Sequence, residues 1–318
     1  MDALIDEIIA GLNFSSVKGR RCVFSGKGYS PVDFSPSNFS EIMAGDGEIT
    51  FVDGGSGEIF SAVNFSLAFF RVYFCTYSGS AVKSSGKQEF FAVISASGKG
   101  GGIEFRTRIF GSELFIPVFS QDDAFLSGSS SHAGILKILD LVRRTAEIEL
   151  ASKLSGYVVL DGNLRADNEF VQEKLGHCRL YALSKTNELL TDSGNSLTVE
   201  LDGMAPFRQW MYYPVVKIDA PLHKAEIVVV KLHPSSKYVF KLETPVNDDF
   251  KIVGVLASNA KDPVFLGYPF GLVQADRFAR VSNEELGYLR MKFLARNEGV
   301  ISQYLNTMNA HGILDRVL

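Results

Sequence analysis

Two aspartates close strongly apolar runs and are followed at once by glycine: Phe51-Val52-Asp53-Gly54-Gly55 and Val158-Val159-Leu160-Asp161-Gly162. A carboxylate at the C-terminal edge of a buried strand points into the crevice where α/β sheets place their sites. The glycine behind it lets the backbone turn and come close to a ligand. Two such carboxylates on adjacent strands could share a divalent cation, because Mg²⁺ and Mn²⁺ take oxygen ligands and also bind phosphate oxygens. Asp-Gly is also a common turn former, so either pair taken alone reads more readily as a plain turn. Two of them at the ends of apolar strands favour a site.

Further side chains could join them. Glu147 borders the apolar stripe of a long helix that leads into the Asp161 strand, with Glu149 as its rival on the same helix. A charged group there must be paired, exposed or bound to a metal. Lys185 follows the apolar run 180–184 and could neutralise a phosphate or position water, or be a solvated loop lysine. Tyr268, in Gly267-Tyr268-Pro269, precedes a proline and is held extended; it could hydrogen-bond a phosphate or simply pack half-buried. Asp276 could be a further carboxylate, or could pair with Arg280 at i,i+4. The five histidines make neither an HxH nor an HExxH set, so zinc hydrolysis has no motif behind it. GxxxxGK[ST] and GxSxG are both missing, so neither ATP hydrolysis nor serine-esterase chemistry is indicated.

The elements that must position these groups follow from periodicity. Residues 1–14 predict a short amphipathic helix with Leu4, Ile8 and Leu12 on one side. Residues 15–45 are rich in Ser, Gly and Pro and predict irregular connection with apolar anchors. β-branched and aromatic runs separated by Gly-rich turns then predict strands at 49–52, 59–63, 66–77, 90–97 and 103–109. A long helix is expected at about 133–154, with Ile135, Ile138, Leu141, Ala146 and Leu150 at helical spacing. A strand at 157–160, a helix at 168–175 and a strand at 180–184 follow, an order that makes the chain α/β. Residues 185–205 predict a connection, and strands are expected at 210–218, 225–231 and 238–242. Helices are expected at about 247–258, around 274–278, at 282–295 and at 300–316; Ser282 with Glu285 has capping-box spacing.

The bulk numbers are those of an ordinary globular chain of 318 residues, 46% hydrophobic and 21% charged, enough for one large core or two modest ones. A net charge of −4 gives no support to nucleic-acid binding, yet a local basic surface would suffice for it. Arg20-Arg21, Arg143-Arg144 and Arg277 with Arg280 are the candidate patches. Three cysteines without a CxxC pair imply neither a thiolate zinc site nor a disulfide framework, and Cys75 is expected as buried filler. Neither a signal peptide nor an apolar run long enough to span a membrane is evident, so a cytoplasmic location is expected.

Taken in order, several of these pieces resemble the NurA nucleases, the partners of HerA-type hexameric helicases in DNA end processing. The matching pieces are Val52-Asp53-Gly54, the helix with Arg143-Arg144-Thr145-Ala146-Glu147, Val159-Leu160-Asp161-Gly162-Asn163-Leu164, Leu183-Ser184-Lys185, the strand 228–233 with Pro234, and Gly267-Tyr268-Pro269 followed by 272–279, Val281-Ser282 and Glu285. The similarity spans roughly residues 45–295. It implies an RNase H-like core with a mixed β-sheet flanked by helices, extra strands and C-terminal helices. It divides the chain into an N-terminal helix and connection (1–45), a nuclease domain (46–295) and a C-terminal helix (296–318). It further implies a manganese-dependent nuclease, with Mg²⁺ as the other possible metal, that digests DNA from 5′ ends and cuts single strands internally. The implied partners are DNA, a second copy of the chain and a HerA-type hexameric ATPase.

Carried over to this sequence, Asp53, Glu147 and Asp161 would be acidic metal ligands and Tyr268 an active-site tyrosine. Where the family has Ala-His, this chain has Ala275-Asp276, so Asp276 is either a fourth carboxylate ligand or a position whose role has been lost. Gly55 also departs from the serine often found after Asp-Gly, and Ser56 is the nearest hydroxyl. The expected alternatives are a catalytically degenerate DNA-binding or helicase-docking subunit, and an α/β phosphoesterase acting on small phosphates.

Overall fold

A computed structural model describes residues 1–11, 17–24, 26–126, 131–186 and 188–296, with residues 131 and 132 by backbone only. The expected helix at 300–316 lies outside them, as does Leu12. In chain order the elements are α1 (Asp2–Gly11), β1 (Tyr29–Pro31), β2 (Phe39–Glu41), β3 (Glu48–Ala62), β4 (Phe65–Ser78), β5 (Ala81–Lys99), β6 (Gly102–Phe110) and β7 (Phe119–Ser120), followed by α2 (Ser131–Ala151), β8 (Tyr157–Asp161), α3 (Glu169–Gly176), β9 (Tyr181–Ser184) and α4 (Leu197–Met204). The chain continues through β10 (Trp210–Ala220), β11 (His223–Lys231), β12 (Phe240–Thr244), α5 (Lys251–Asn259), α6 (Phe270–Ala279) and α7 (Asn283–Arg296).

The strands form one sheet in the order β1-β10-β11-β12-β9-β8-β3-β4-β5-β6-β7, with β2 also paired to β10. Only β3–β8 and β8–β9 pair in parallel; the remaining neighbours are antiparallel. That mixed arrangement follows from connection length. Hairpin turns join β3 to β6 in a meander, whereas parallel strands need a crossover, which α2 and α3 supply.

Strand alternation sorts the central side chains onto two faces. Val52, Leu160 and Ala182 pack with Ile135, Ile138, Leu141 and Val142 of α2 on one face. Phe51, Val159 and Leu183 pack with Ile252 and Leu256 of α5 and Leu272 and Ala275 of α6 on the other. Helices therefore cover both faces of the parallel centre, as buried parallel strands require.

Four expectations need correcting. Asp53 does not end a strand: β3 runs on through the Gly-rich stretch to Ala62, with Asp53 opposite Tyr73, Gly54 opposite Val72 of β4 and one register shift between Glu58 and Phe60, so 49–52 and 59–62 are parts of one strand. Residues 15–45 are not wholly irregular, because 29–31 and 39–41 add edge strands to β10. The connection 185–205 contains α4, whose Leu197 and Leu201 are buried against Trp210 and Tyr212. The helix expected from about 247 begins only at Lys251 as α5, and the strand expected at 238–242 runs instead from Phe240 to Thr244 as β12. The Ser282 cap forms, with the Glu285 amide donating to Ser282 Oγ at 3.1 Å. The Glu285 carboxylate pairs with Arg71.

Candidate active site

The parallel pairing of β3 with β8 stops at Val52 opposite Leu160. The next residue on each strand is Asp53 and Asp161. Alternation puts both on the face covered by α5 and α6, one step beyond Phe51 and Val159. Asp161 ends β8, and its strand neighbour is Leu183 on β9, two residues before Lys185. Asp276 comes from α6, and Tyr268 from the turn that leads into α6.

Glu147 arrives from the opposite face, on α2. Its side chain is buried, and Gly54 makes room for it: a Cβ on Gly54 would lie 2.6 Å from Glu147 Oε1. Gly55 performs the same service for α6, because a Cβ there would lie 2.2 Å from the carbonyl oxygen of Ala279. The glycines that resemble a turn in the sequence are therefore contact points in a strand, where two helices approach from either side.

Asp53 is the electrostatic centre of the group. Its carboxyl is pushed up to about 7, first by burial, then by the negative charges of Glu147 and Asp161, with Asp276 adding to them. The Gly54 amide, which donates to Asp53 Oδ1 at 2.8 Å, opposes the rise without cancelling it. Like charges and desolvation both disfavour the ionised form, so a nearby cation would favour it.

Basic side chains surround the acids. Arg143 Nη1 donates to Glu147 Oε1, and Arg144 Nη1 to Glu147 Oε2 at 3.3 Å. Lys185 Nζ donates to Asp161 Oδ2 at 2.6 Å and stands 3.9 Å from Asp276 Oδ1, while Arg280 Nη2 lies 3.4 Å from Asp276 Oδ2. Burial alone would lower the Lys185 pKa, but the bond to Asp161 and the charges of Asp161, Asp276 and Asp53 outweigh it and hold the ammonium charged.

Tyr268 completes the group. The residue is buried, its hydroxyl has no hydrogen-bond partner among the described residues, and burial followed by the charges of Asp161, Asp53 and Asp276 pushes its pKa far up. It is thus a neutral donor beside three carboxylates.

The all-carboxylate donor set is the chemistry of a hard divalent cation such as Mg²⁺ or Mn²⁺. The elevated Asp53 marks where added positive charge would be favourable. Among the described residues, no set of three or more His, Cys, Asp and Glu side chains is drawn together closely enough to hold a metal ion. The arginines and Lys185 hold the oxygens of Glu147 and Asp161 in salt bridges instead.

All six residues picked out from the sequence lie in this one neighbourhood. The rival Glu149 lies apart, paired with Lys174 at 3.0 Å and Lys153 at 3.5 Å. Arg20 pairs with Asp192 instead of facing the acids. The expected Asp276–Arg280 pair forms, but Asp276 faces Lys185 as well. Sequence reasoning had no role for Arg143 and Arg144 beyond a basic patch. Their spacing to Glu147, i,i+4 and i,i+3, was the available signal.

No protein-family model and no curated protein matches the chain. Among solved structures, the fold is similar to the crystal structure of the NurA nuclease from Sulfolobus solfataricus, with TM-score 0.51 and 14% identity over 81% of this chain and 88% of that one. Endonuclease V from Ciona intestinalis, bound to DNA containing an inosine followed by a ribo-adenosine, aligns at TM-score 0.38 and 11% identity over 78% and 92% of the two chains. Human endonuclease V aligns at 0.36 and 13% over 80% and 94%. The latter two scores are too low to bear on the assignment. The chain has an α/β fold in which helices flank a mixed sheet, and this matches the RNase H-like core.

Proposed function

We propose that the acid cluster is the catalytic centre of a divalent-metal-dependent deoxyribonuclease. The observation that carries this reading is the convergence of Asp53, Glu147, Asp161 and Asp276 on the point where β8 leaves β3, strongly enough for Asp53 to be pushed up to about 7. The structural likeness to a nuclease supports it. On this reading residues 46–295 form the nuclease domain. It digests DNA from 5′ ends and cuts single strands internally, as a homodimer docked on a HerA-type hexameric translocase.

Asp53, Glu147, Asp161 and Asp276 would hold Mn²⁺ or Mg²⁺, which when bound supplies Lewis acidity at the scissile phosphate and lowers the pKa of an attacking water. The chain's own groups do the rest. Lys185 moves its charge from Asp161 to a non-bridging phosphate oxygen and offsets the charge that builds up there. Arg143 and Arg144 pair with the buried Glu147 and orient it. Tyr268 donates its hydroxyl proton in a hydrogen bond to the phosphate, which fixes the strand without any transfer of that proton. Asp53 in its ionised form would accept the proton of the water that attacks in line while the P–O3′ bond breaks, and the departing 3′ oxygen would take a proton from solvent, leaving a 3′-hydroxyl and a 5′-phosphate.

The salt bridges to Glu147 and Asp161 favour one second reading, a degenerate NurA-like subunit in which basic side chains have replaced the cation for good. Position 276 separates the two. Asp276→His and Asp276→Ala are assayed on end-labelled single-stranded DNA with Mn²⁺, with Mg²⁺ and with chelator, beside a panel of mononucleotides and small phosphate esters. A nuclease gives metal-dependent cleavage of the polymer, and the two variants change its rate or metal preference. Folded wild-type protein that cuts nothing, even with the translocase present, supports the degenerate subunit. Turnover of small esters alone would contradict both.

A further inference from the structure

A groove of about 500 Å³ opens beside the acid cluster and shares Lys185 and Asp276 with it. One wall is a run of aromatic rings leading in from the surface: Tyr238 faces Phe240 at 6.4 Å between centroids, and Phe240 faces Tyr268 at 5.2 Å. The other carries Val264 and Phe265, whose turn is pinned by Asp262 Oδ1 accepting from both amides at 2.9 and 3.3 Å. Tyr238 is 63% exposed and Phe265 40% exposed, so flat apolar surface stands open within a pocket. Such surface is costly to leave in water, and apart from Tyr268 at its inner end neither wall is used by the chemistry proposed above.

We infer that this groove binds an unpaired nucleobase of the DNA strand whose phosphate lies at Lys185, by stacking it on Tyr238 and Phe265. This rests on the nuclease reading for the position of the phosphate. Aromatic walls meet the π-face that every base has. The ammonium at the inner end meets the phosphate that every nucleotide carries. Apart from the tyrosine hydroxyls, the walls bring almost nothing to read a base edge, so the subsite accepts any base. A paired base is stacked within its duplex and can enter only after leaving it. The substrate class is therefore an unpaired terminus or single strand of any sequence.

The test uses a single-stranded oligonucleotide carrying 2-aminopurine and an end label, with chelator present so that binding is read without cleavage. The inference predicts quenched 2-aminopurine fluorescence on binding. With the double variant Tyr238→Ala and Phe265→Ala, the quench is lost and binding by label anisotropy weakens about tenfold, given the strength of base–aromatic stacking. Tyr238→Phe keeps the ring and restores both. The exposure of the two side chains makes misfolding of the variants avoidable, and circular dichroism checks it. Absence of a quench in wild type, or an equal quench in the double variant, overturns the inference. A parallel cleavage assay with Mn²⁺ keeps the two ideas apart. Cleavage without a quench removes the subsite and leaves the nuclease, whereas a quench without cleavage removes the nuclease and leaves the base-binding groove.

Discussion

Among the described residues the buried Tyr268 hydroxyl has no hydrogen-bond partner; such a group weakens a fold, and on the proposed reading it serves the substrate phosphate instead. Tyr268→Phe is expected to leave the unfolding free energy unchanged or raise it by up to ~1 kcal/mol, while kcat/KM on DNA falls about tenfold with the loss of a hydrogen bond to a charged group. Urea denaturation and steady-state cleavage measure the two halves, and a variant that loses stability without losing rate would make Tyr268 a packing residue. Glu243 gives a second residue-scale prediction. It is buried and accepts from His223 Nε2, Lys241 Nζ and the Leu164 amide, each at 2.8 Å, and so ties the loop after Asp161 to β12. Burial alone would raise its pKa, but the His223 bond and the charges of Lys241 and His223 outweigh burial and bring it down to about 2 from an ordinary 4.5. A folded pKa below the unfolded one stabilises the protein above pH 4.5, and that contribution is lost as the pH falls from there toward 2. It amounts to ~3 kcal/mol by linkage. Glu243→Gln should flatten this part of the acid-unfolding curve, and an unchanged acid limb would show that the pairing does not hold in solution.

At the element scale, parts of the framework that positions the candidate site were legible in the sequence. Asp161 was: an apolar run ending in Asp-Gly is a short parallel strand delivering a carboxylate to a crevice, and β8 ends there. The long helix was legible too, because the stripe Ile135, Ile138, Leu141 is buried as the spacing requires. Asp53 was expected at a strand end, and it is not at one. Three glycines within four residues have the composition of a turn, but the pairing with β4, from Glu48 opposite Ser78 to Glu58 opposite Ala68, carries the strand straight through them. Their purpose depends on α2 and α6, partners far away in the chain that local pattern does not contain. The same holds for the edge strands and for α4, whose short apolar stretches make sense only against β10. Gly55→Ala tests this account of the strand. The new methyl would meet the Ala279 backbone, which cannot swing aside as a side chain can. Overpacking of this kind should destabilise by about 1–3 kcal/mol and lower DNA cleavage by shifting Asp276, as read from urea unfolding and rate together. A variant as stable as wild type would mean that α6 is not seated on β3 at that point.

At the scale of the whole molecule, the net charge of −4 means that the proposed DNA binding must rest on local features. The cations gathered at the acids are few, chiefly Arg143, Arg144 and Lys185. Of these only Lys185 is free to meet a phosphate in the proposed mechanism, since Arg143 and Arg144 hold Glu147, so one contact gives a salt slope near −0.7 for a single strand and binding should weaken only about threefold between 50 and 200 mM salt. Anisotropy titrations across that range measure it, and a slope several times steeper would require a basic surface elsewhere on the chain or on a second copy. The RNase H-like frame makes such a site intelligible: helices on both faces of a mixed sheet let α2 deliver Glu147 from one side and α6 deliver Asp276 from the other, onto aspartates of two adjacent strands.

The most direct test of the central claim is cleavage of end-labelled single-stranded DNA by the full chain in Mn²⁺, compared with the double variant Asp53→Asn and Asp161→Asn and with chelator. Cleavage by wild type that both the substitution and the chelator abolish, in a variant that stays folded by circular dichroism, is the predicted result. Cleavage that persists in the folded double variant would contradict the account, because the carboxylates on β3 and β8 would then not be the centre of the chemistry.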